Sequence, residues 1–295
     1  MTVSEPFPTC YLNGDFLPLV EARVSPLDRA FLFADGVYEV VPVHRGRPFR
    51  LREHLERLER SLAAIRLEPP LGLAGWAQIV TELVSRTAVA EILVYIQISR
   101  GAERGRNHLF PRAAQPTTFA FASPYPVPDA RIMERGLAAA TLPDIRWRRC
   151  DIKATALLAN VLLRQQAADA GCDEALLVSD GLLREGSSST VLALIDGRIR
   201  TPPNDQHILP GTSRDALLEL AAGWLPVSIG PVTVEDLRRA DEVWIASAGR
   251  GLLPVTRIDD LPVGDGRPGP CWRQLYRRLQ DHLDEIAATP ALGTG

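Results

Sequence analysis

Four tight-turn sequences constrain what this chain can fold into. Asn13-Gly14, Arg45-Gly46, Asp180-Gly181 and Asp196-Gly197 each stand between runs of strand-forming residues. Asn-Gly and Asp-Gly readily adopt the left-handed backbone of a two-residue hairpin, so the flanking strands must pair antiparallel. Strand patterns cover Val37 to Val43, Glu91 to Arg100, Thr117 to Ala122, Glu174 to Ser179, Thr190 to Ile195 and Glu242 to Ala246. Helical patterns lie between them. Arg52 to Arg66 sets Leu55, Leu58, Leu62 and Ile65 on one face, with Pro69-Pro70 beyond as a stop. Further helices are expected at Gly75 to Arg86, Thr155 to Ala170, after Pro210-Gly211-Thr212-Ser213, and at Cys271 to Ala288. Hairpins are common and regular β-α-β alternation is absent. The pattern favours α+β with mixed sheets over a doubly wound parallel fold.

The stretch Ser123-Pro124-Tyr125-Pro126-Val127-Pro128-Asp129 holds three prolines, which suit neither a helix interior nor a central strand. It reads as a linker over 123–130, between an N-terminal domain (1–122) and a C-terminal domain (131–295). With 46% hydrophobic and 23% charged residues, the chain has the composition of a folded globular protein. Its net charge of −3 offers no overall basic field for nucleic acid or a membrane surface. Cys10, Cys150, Cys172 and Cys271 are scattered and read as reduced thiols of a cytoplasmic protein. The opening residues lack the pattern of a secretory leader, and Thr289 to Gly295 reads as a frayed tail.

Of the 33 basic residues, only Lys153 is a lysine. Arginine therefore supplies positive charge everywhere else. A lysine amine can act as a nucleophile and form a Schiff base, which a guanidinium cannot do. Lys153 is thus a candidate for covalent chemistry.

Other segments suit ligand binding, and each also has a plainer reading. Glu185-Gly186-Ser187-Ser188-Ser189-Thr190 offers donors at a tight turn, or is simply a polar turn. Pro210-Gly211-Thr212-Ser213-Arg214 opens a helix whose free N–H groups and dipole could cradle a phosphate, or is ordinary N-capping. Ser247-Ala248-Gly249-Arg250-Gly251 is a second loop of that kind. Arg104-Gly105-Arg106-Asn107-His108 suits a carboxylate, or is a solvated basic loop. The histidines lack zinc-ligand spacing, and no dinucleotide or P-loop motif is present.

Taken in order, these segments resemble the fold-type IV transaminases that use pyridoxal 5'-phosphate (PLP), and within them the D-amino-acid transaminases. The resemblance runs from about Tyr11 to about Leu279. It is carried by Asp28-Arg29, Phe33 to Val41, Glu53-His54 with Arg57-Leu58, and Arg106-Asn107-His108. It continues through Ile145-Arg146-Trp147, Arg149 to Lys153, Glu185 to Ser189, Gly211 to Asp215 and Pro254-Val255.

The resemblance implies a small N-terminal α/β domain and a larger C-terminal domain with mixed sheets forming a pseudobarrel. Lys153 would hold PLP as a Schiff base and shuttle the proton, and Glu185 would pair with the pyridine nitrogen. Arg57, Gly211, Thr212 and Ser213 would hold the phosphate, with Ser188, Ser189, Ser247 and Ala248 also against the cofactor and Leu209 supporting the ring. Tyr38, Arg106 and His108 would bind the substrate carboxylate, with Val40 and Arg250 on the substrate side. Arg106 and His108 would reach the neighbouring active site of a homodimer.

The implied reaction is ping-pong amino transfer between a D-amino acid such as D-alanine or D-glutamate and 2-oxoglutarate or pyruvate. Related possibilities are an (R)-amine transaminase, a branched-chain aminotransferase and an aminodeoxychorismate lyase-like enzyme. Small-molecule amino and oxo acids are the implied partners, without nucleic acid or membrane. Two features depart from the family pattern. Ala246 to Arg250 replaces a run usually rich in Ser and Thr, and Arg250 adds a charge at the expected pocket rim. Arg104 leaves open which guanidinium grips the carboxylate.

Overall fold

A computed structural model describes residues 5–112, 115–126 and 128–288. The expected frayed tail and Val127 of the proline-rich stretch lie outside the described residues.

All four turns take the left-handed backbone of a two-residue hairpin, which Asn, Asp and Gly favour and which Arg45 also adopts. Asn13 and Gly14 have φ of 52° and 114°, Arg45 and Gly46 51° and 77°, Asp180 and Gly181 55° and 74°, and Asp196 and Gly197 51° and 69°. Two successive left-handed residues match the twist of the flanking strands and close each hairpin in register. The turns join β1 (Thr9–Leu12) to β2 (Asp15–Pro18) and, after α1 (Arg29–Phe33), β3 (Gly36–His44) to β4 (Arg47–Pro48).

The chain divides into two compact units. One holds the described residues up to 126, together with 152–157 and 286–288. Besides β1 to β4 and α1 it contains α2 (Leu51–Ala64), α3 (Leu73–Ser85), β5 (Ile92–Ser99) and β6 (Thr117–Pro124). Its six-stranded antiparallel sheet has the order β2-β1-β6-β5-β3-β4. Leu55, Leu58 and Leu62 of α2 and Trp76, Val80 and Leu83 of α3 cover the sheet face bearing Val37, Val41, Val94 and Ile96. Burying one such side chain is worth roughly 1.5–3 kcal/mol, so this face is a main source of the unit's stability. Helix α2 ends before Pro69-Pro70, with Arg66 left-handed at φ 58°.

The other unit holds the described residues of 128–151 and 158–285. In chain order it contains α4 (Ala130–Arg135), β7 (Leu137–Pro143), α5 (Leu158–Asp169), β8 (Glu174–Ser179), β9 (Leu182–Gly186), β10 (Thr190–Ile195) and β11 (Arg198–Thr201). It continues with α6 (Thr212–Ala221), β12 (Val227–Ile229), α7 (Val234–Arg238), β13 (Glu242–Ser247), β14 (Gly251–Ile258), β15 (Leu261–Pro262) and most of α8 (Pro270–Ala288). Its nine-stranded sheet runs β12-β11-β10-β13-β14-β7-β8-β9, with β15 on β14. The sheet is mixed: β7 is parallel to both β14 and β8, and the hairpins are antiparallel. The α+β class with mixed sheets is therefore the observed one.

Three segments differ from their local pattern. Strand β6 continues through Ser123 and Pro124, and α4 starts at Ala130, so both ends of the proline-rich stretch carry regular structure. The expected helix from Thr155 begins only at Leu158, because 152–155 pairs with the edge of β3. Strand β7 is Leu- and Ala-rich, a composition that favours helix in isolation, and burial between two parallel neighbours overrides it.

Candidate active site

Lys153 is fixed by its main chain. Its carbonyl accepts from the Tyr38 N–H at 2.9 Å, and its N–H donates to Ser61 Oγ at 3.2 Å. Ala154 forms a bridge to Val37, and the Thr155 N–H and hydroxyl donate to the Gly36 carbonyl at 3.0 and 3.2 Å. The segment thus lies along β3 at the edge opposite β5. The Lys153 Nζ sits 4.3 Å from the centre of the Tyr38 ring, within cation–π range.

Alternation along β3 assigns its side chains to two faces. Tyr38 and Val40, both half-buried, share one face, where Tyr38 stacks on Tyr95 at 5.7 Å. Val37, Glu39 and Val41 share the other and are fully buried. Glu39 stands among apolar residues and accepts from Arg57 Nε at 3.0 Å and Arg57 Nη2 at 2.7 Å, with His54 Nδ1 3.0 Å away. Burial alone would raise the Glu39 carboxyl; the Arg57 guanidinium and His54 outweigh it and hold it well below the usual carboxylate range. His54 is pushed below its ordinary value, first by burial and further by Arg57 and Lys153, against the pull of Glu39. Arg57, for which the resemblance implies a phosphate role, also pairs with Glu39 through its Nε and Nη2.

Arg106 and His108 lie on the loop after β5. The Arg106 guanidinium is 4.9 Å from the Phe33 ring centre, and the His108 ring is 5.1 Å from it. Arg29 Nη1 ties the loop down by donating to the Asn107 carbonyl at 2.6 Å. Among the described residues no hydrogen bond, ion pair or ring contact joins Arg106 or His108 to Tyr38. Arg104 and Arg106 are both exposed.

In the second unit Glu185 is buried at the end of β9. It accepts a short bond from Arg146 Nη1 and a longer one, at 3.3 Å, from the Leu209 N–H. Arg146 also grips Asp144 at 2.9 and 2.8 Å, so this guanidinium is shared between two carboxylates. Leu209 thus meets Glu185 through its backbone.

Next to Glu185, the serine turn is held by a second acid. Glu174 accepts from Ser187 Oγ at 2.5 Å, the Ser187 N–H at 3.2 Å and Ser189 Oγ at 3.1 Å. Ser187 and Ser189 are buried, and Ser188 between them is exposed. Gly186 is required there: a Cβ on it would lie 2.1 Å from Ser189 Oγ.

Helix α6 begins at Thr212 with Gly211 as its N-cap and no side-chain cap bond. Its first N–H groups are the donors and the positive dipole end that an anion requires. A Cβ on Gly211 would meet Thr190 Oγ1 at 2.6 Å, so glycine keeps this approach open. Thr212 is buried and Ser213 half-buried. Ser247, Ala248 and Arg250 occupy the hairpin between β13 and β14, closed by the Ser247–Gly251 pair. Arg250 is turned inward: its Nη1 donates to Glu174 at 2.5 Å and its Nη2 to the Asp173 carbonyl at 3.4 Å.

These residues suit a phosphorylated pyridine aldehyde. Within the second unit the helix start with its glycine fits a phosphate and the buried Glu185 carboxylate fits a ring nitrogen; in the first unit, Lys153 is the chain's one lysine. Sequence reasoning missed Glu39 and Glu174. Glu39 had a visible signal, an acid on the apolar face of the Val37 to Val43 alternation. Glu174 had none, because it heads its strand.

The chain matches known proteins along most of its length. The amino-transferase class IV family model matches residues 36–258. A D-alanine aminotransferase of Staphylococcus haemolyticus is 37% identical over 276 residues, 93% of this chain and 97% of that protein. One from Bacillus licheniformis is 36% identical over 279 residues, 94% and 98% of the two chains. The T.th. branched-chain amino acid aminotransferase, solved with pyridoxamine 5'-phosphate, shares the fold at TM-score 0.88 and 24% identity, over 96% of each chain. The family model and these relatives, matched over nearly the whole of both chains, show that this chain belongs to the class IV aminotransferases.

Proposed function

We propose that the chain is a PLP-dependent transaminase of D-amino acids, transferring the amino group of a donor such as D-alanine to 2-oxoglutarate or pyruvate. The observation that carries this reading is the fixation of Lys153, the only lysine, by both its backbone groups beside Tyr38. The D-alanine aminotransferases that match over nearly the whole chain support the substrate class.

When bound, PLP supplies an electron sink that makes the substrate α-proton removable. The protein's own groups bind, orient and move protons. Lys153 Nζ would take the proton from the substrate α-carbon and pass it on to the cofactor side, not back to the same carbon. Its clamped backbone limits where the amine can reach, which restricts transfer to one face. Glu185 keeps a proton on the ring nitrogen, with Arg146 and the Leu209 N–H fixing its carboxylate. Arg57, Ser213 and the backbone at Thr212 hold the phosphate, with Gly211 giving room at the start of α6. Ser188 and the Ser247-Ala248 loop complete the cofactor contacts.

Tyr38 and Val40 face the substrate from β3. Arg106 and His108 serve the neighbouring copy of a homodimer, binding the α-carboxylate there. Among the described residues Arg106 and His108 rest against Phe33 and make no bond or ring contact to Tyr38, which supports this reading. A transamination assay comparing D-alanine, L-valine and (R)-1-phenylethylamine, each with 2-oxoglutarate, tests the assignment. D-alanine should be the best donor; a preference for either of the others contradicts it.

A further inference from the structure

The resemblance places Arg250 at the substrate rim; in the structure its guanidinium meets a buried acid. It leaves the β13–β14 hairpin, which carries Ser247 and Ala248, and ends on Glu174. Glu174 is completely buried, and its two oxygens accept from Arg250, Ser187, Ser189 and the Ala175 N–H. The serines belong to the turn that follows Glu185. Glu174 thus links two loops, the 247–250 hairpin by an ion pair and the serine turn by hydrogen bonds, and both are assigned above to the cofactor.

We propose that Arg250 and Glu174 form a strut that holds these two loops in their cofactor-binding arrangement, making Arg250 a positioning residue for PLP and not a contact of the substrate. The inference rests on the PLP reading above and deepens it.

Three features support it. A buried carboxylate needs its bonds satisfied, and besides the neighbouring Ala175 N–H its donors come from the serine turn and the 247–250 hairpin, so the loops share one anchor. The Gly186 backbone packs against both Ser189 and Glu174: a Cβ there would sit 2.1 Å from Ser189 Oγ and 3.4 Å from Glu174 Cδ. Asn160 Nδ2 donates to the Ser187 carbonyl at 2.8 Å, fixing the turn from α5 as well. With Ser187 and Ser189 pinned inward, Ser188 is the serine left to face a ligand.

The test titrates apoenzyme with PLP, following the visible band of the bound cofactor, for wild type, Arg250→Met, Arg250→Lys and Ser187→Ala. Circular dichroism reports the fold of each. Folded Arg250→Met should bind PLP about tenfold more weakly, as when the support of a ligand-holding group is removed, and shift the band maximum. Its KM for D-alanine at saturating PLP should stay within about twofold of wild type, and Arg250→Lys should restore most of the affinity. Unchanged PLP affinity with a raised KM in folded Arg250→Met overturns the strut and makes Arg250 a substrate contact.

Should Arg250→Met fail to fold, Ser187→Ala decides. It keeps both charges and removes the shortest bond to the turn, so PLP affinity should fall about threefold. Unchanged affinity there overturns the proposal. Wild-type apoenzyme that takes up no PLP overturns the underlying cofactor reading instead.

Discussion

The main chain of Lys153 is bonded to that of Tyr38, N–H to carbonyl at 2.9 Å, while the Lys153 amine rests 4.3 Å from the Tyr38 ring centre. The same two residues are thus joined through backbone and side chain. Strand β3 sets the height of the lysine, and the aromatic face sets its direction.

Because the clamp is made by backbone atoms, changing the side chain leaves it intact. Lys153→Ala should fold normally by circular dichroism and lose transaminase activity by ~10³-fold or more. Lys153→Arg should be equally inactive, since it keeps the charge and lacks a transferable amine. Activity in either folded variant contradicts the role of Lys153.

Mixing subunits tests the exchange of Arg106. Lys153→Ala and Arg106→Ala proteins, each weak alone, are unfolded together and refolded in equal amounts. If Arg106 serves the neighbouring copy, half the dimers are mixed and one of their two sites is intact, giving about a quarter of wild-type activity. No recovery in a verified mixed dimer places Arg106 in its own chain's site.

The buried Glu39–His54–Arg57 group gives a pH signature. Arg57 satisfies Glu39, so burial wins at His54 and keeps it neutral below its ordinary 6.5. The unfolded chain then binds a proton that the folded chain refuses. Stability should be flat above pH 6.5 and fall as pH drops towards the lower folded value, by up to about 1.4 kcal/mol per pH unit. Urea unfolding at pH 8, 7, 6 and about 5.5 measures the slope. His54→Gln should flatten it relative to wild type; an unchanged slope assigns the proton elsewhere.

Gly186→Ala should act on stability and cofactor together. The added methyl would sit 2.1 Å from Ser189 Oγ, so the serine turn must move. A loss of about 1–3 kcal/mol is expected in urea unfolding, with weaker PLP uptake. An alanine variant as stable as wild type and equal in PLP affinity contradicts the tight turn.

The hairpin turns were legible because Asn-Gly and Asp-Gly carry their own backbone preference, and Lys153 because arginine fills every other basic position. The amphipathic stripe of α2 was equally plain. What depended on distant partners was not. The segment 152–155 follows β3 only because Gly36 and Tyr38 offer backbone groups to it. Strand β14 contains Pro254, which argues locally against a strand, and it is held opposite Trp244 of β13. Arg250 was legible as an extra charge, but its direction was set by Glu174, far away in sequence.

The most direct test is the visible spectrum of the purified, PLP-loaded protein before and after adding D-alanine or L-alanine without an oxo-acid acceptor. The account predicts a yellow band that D-alanine bleaches and L-alanine leaves unchanged. A yellow protein indifferent to D-alanine contradicts the substrate assignment, and a protein that stays colourless with PLP supplied contradicts the account from Lys153 onward.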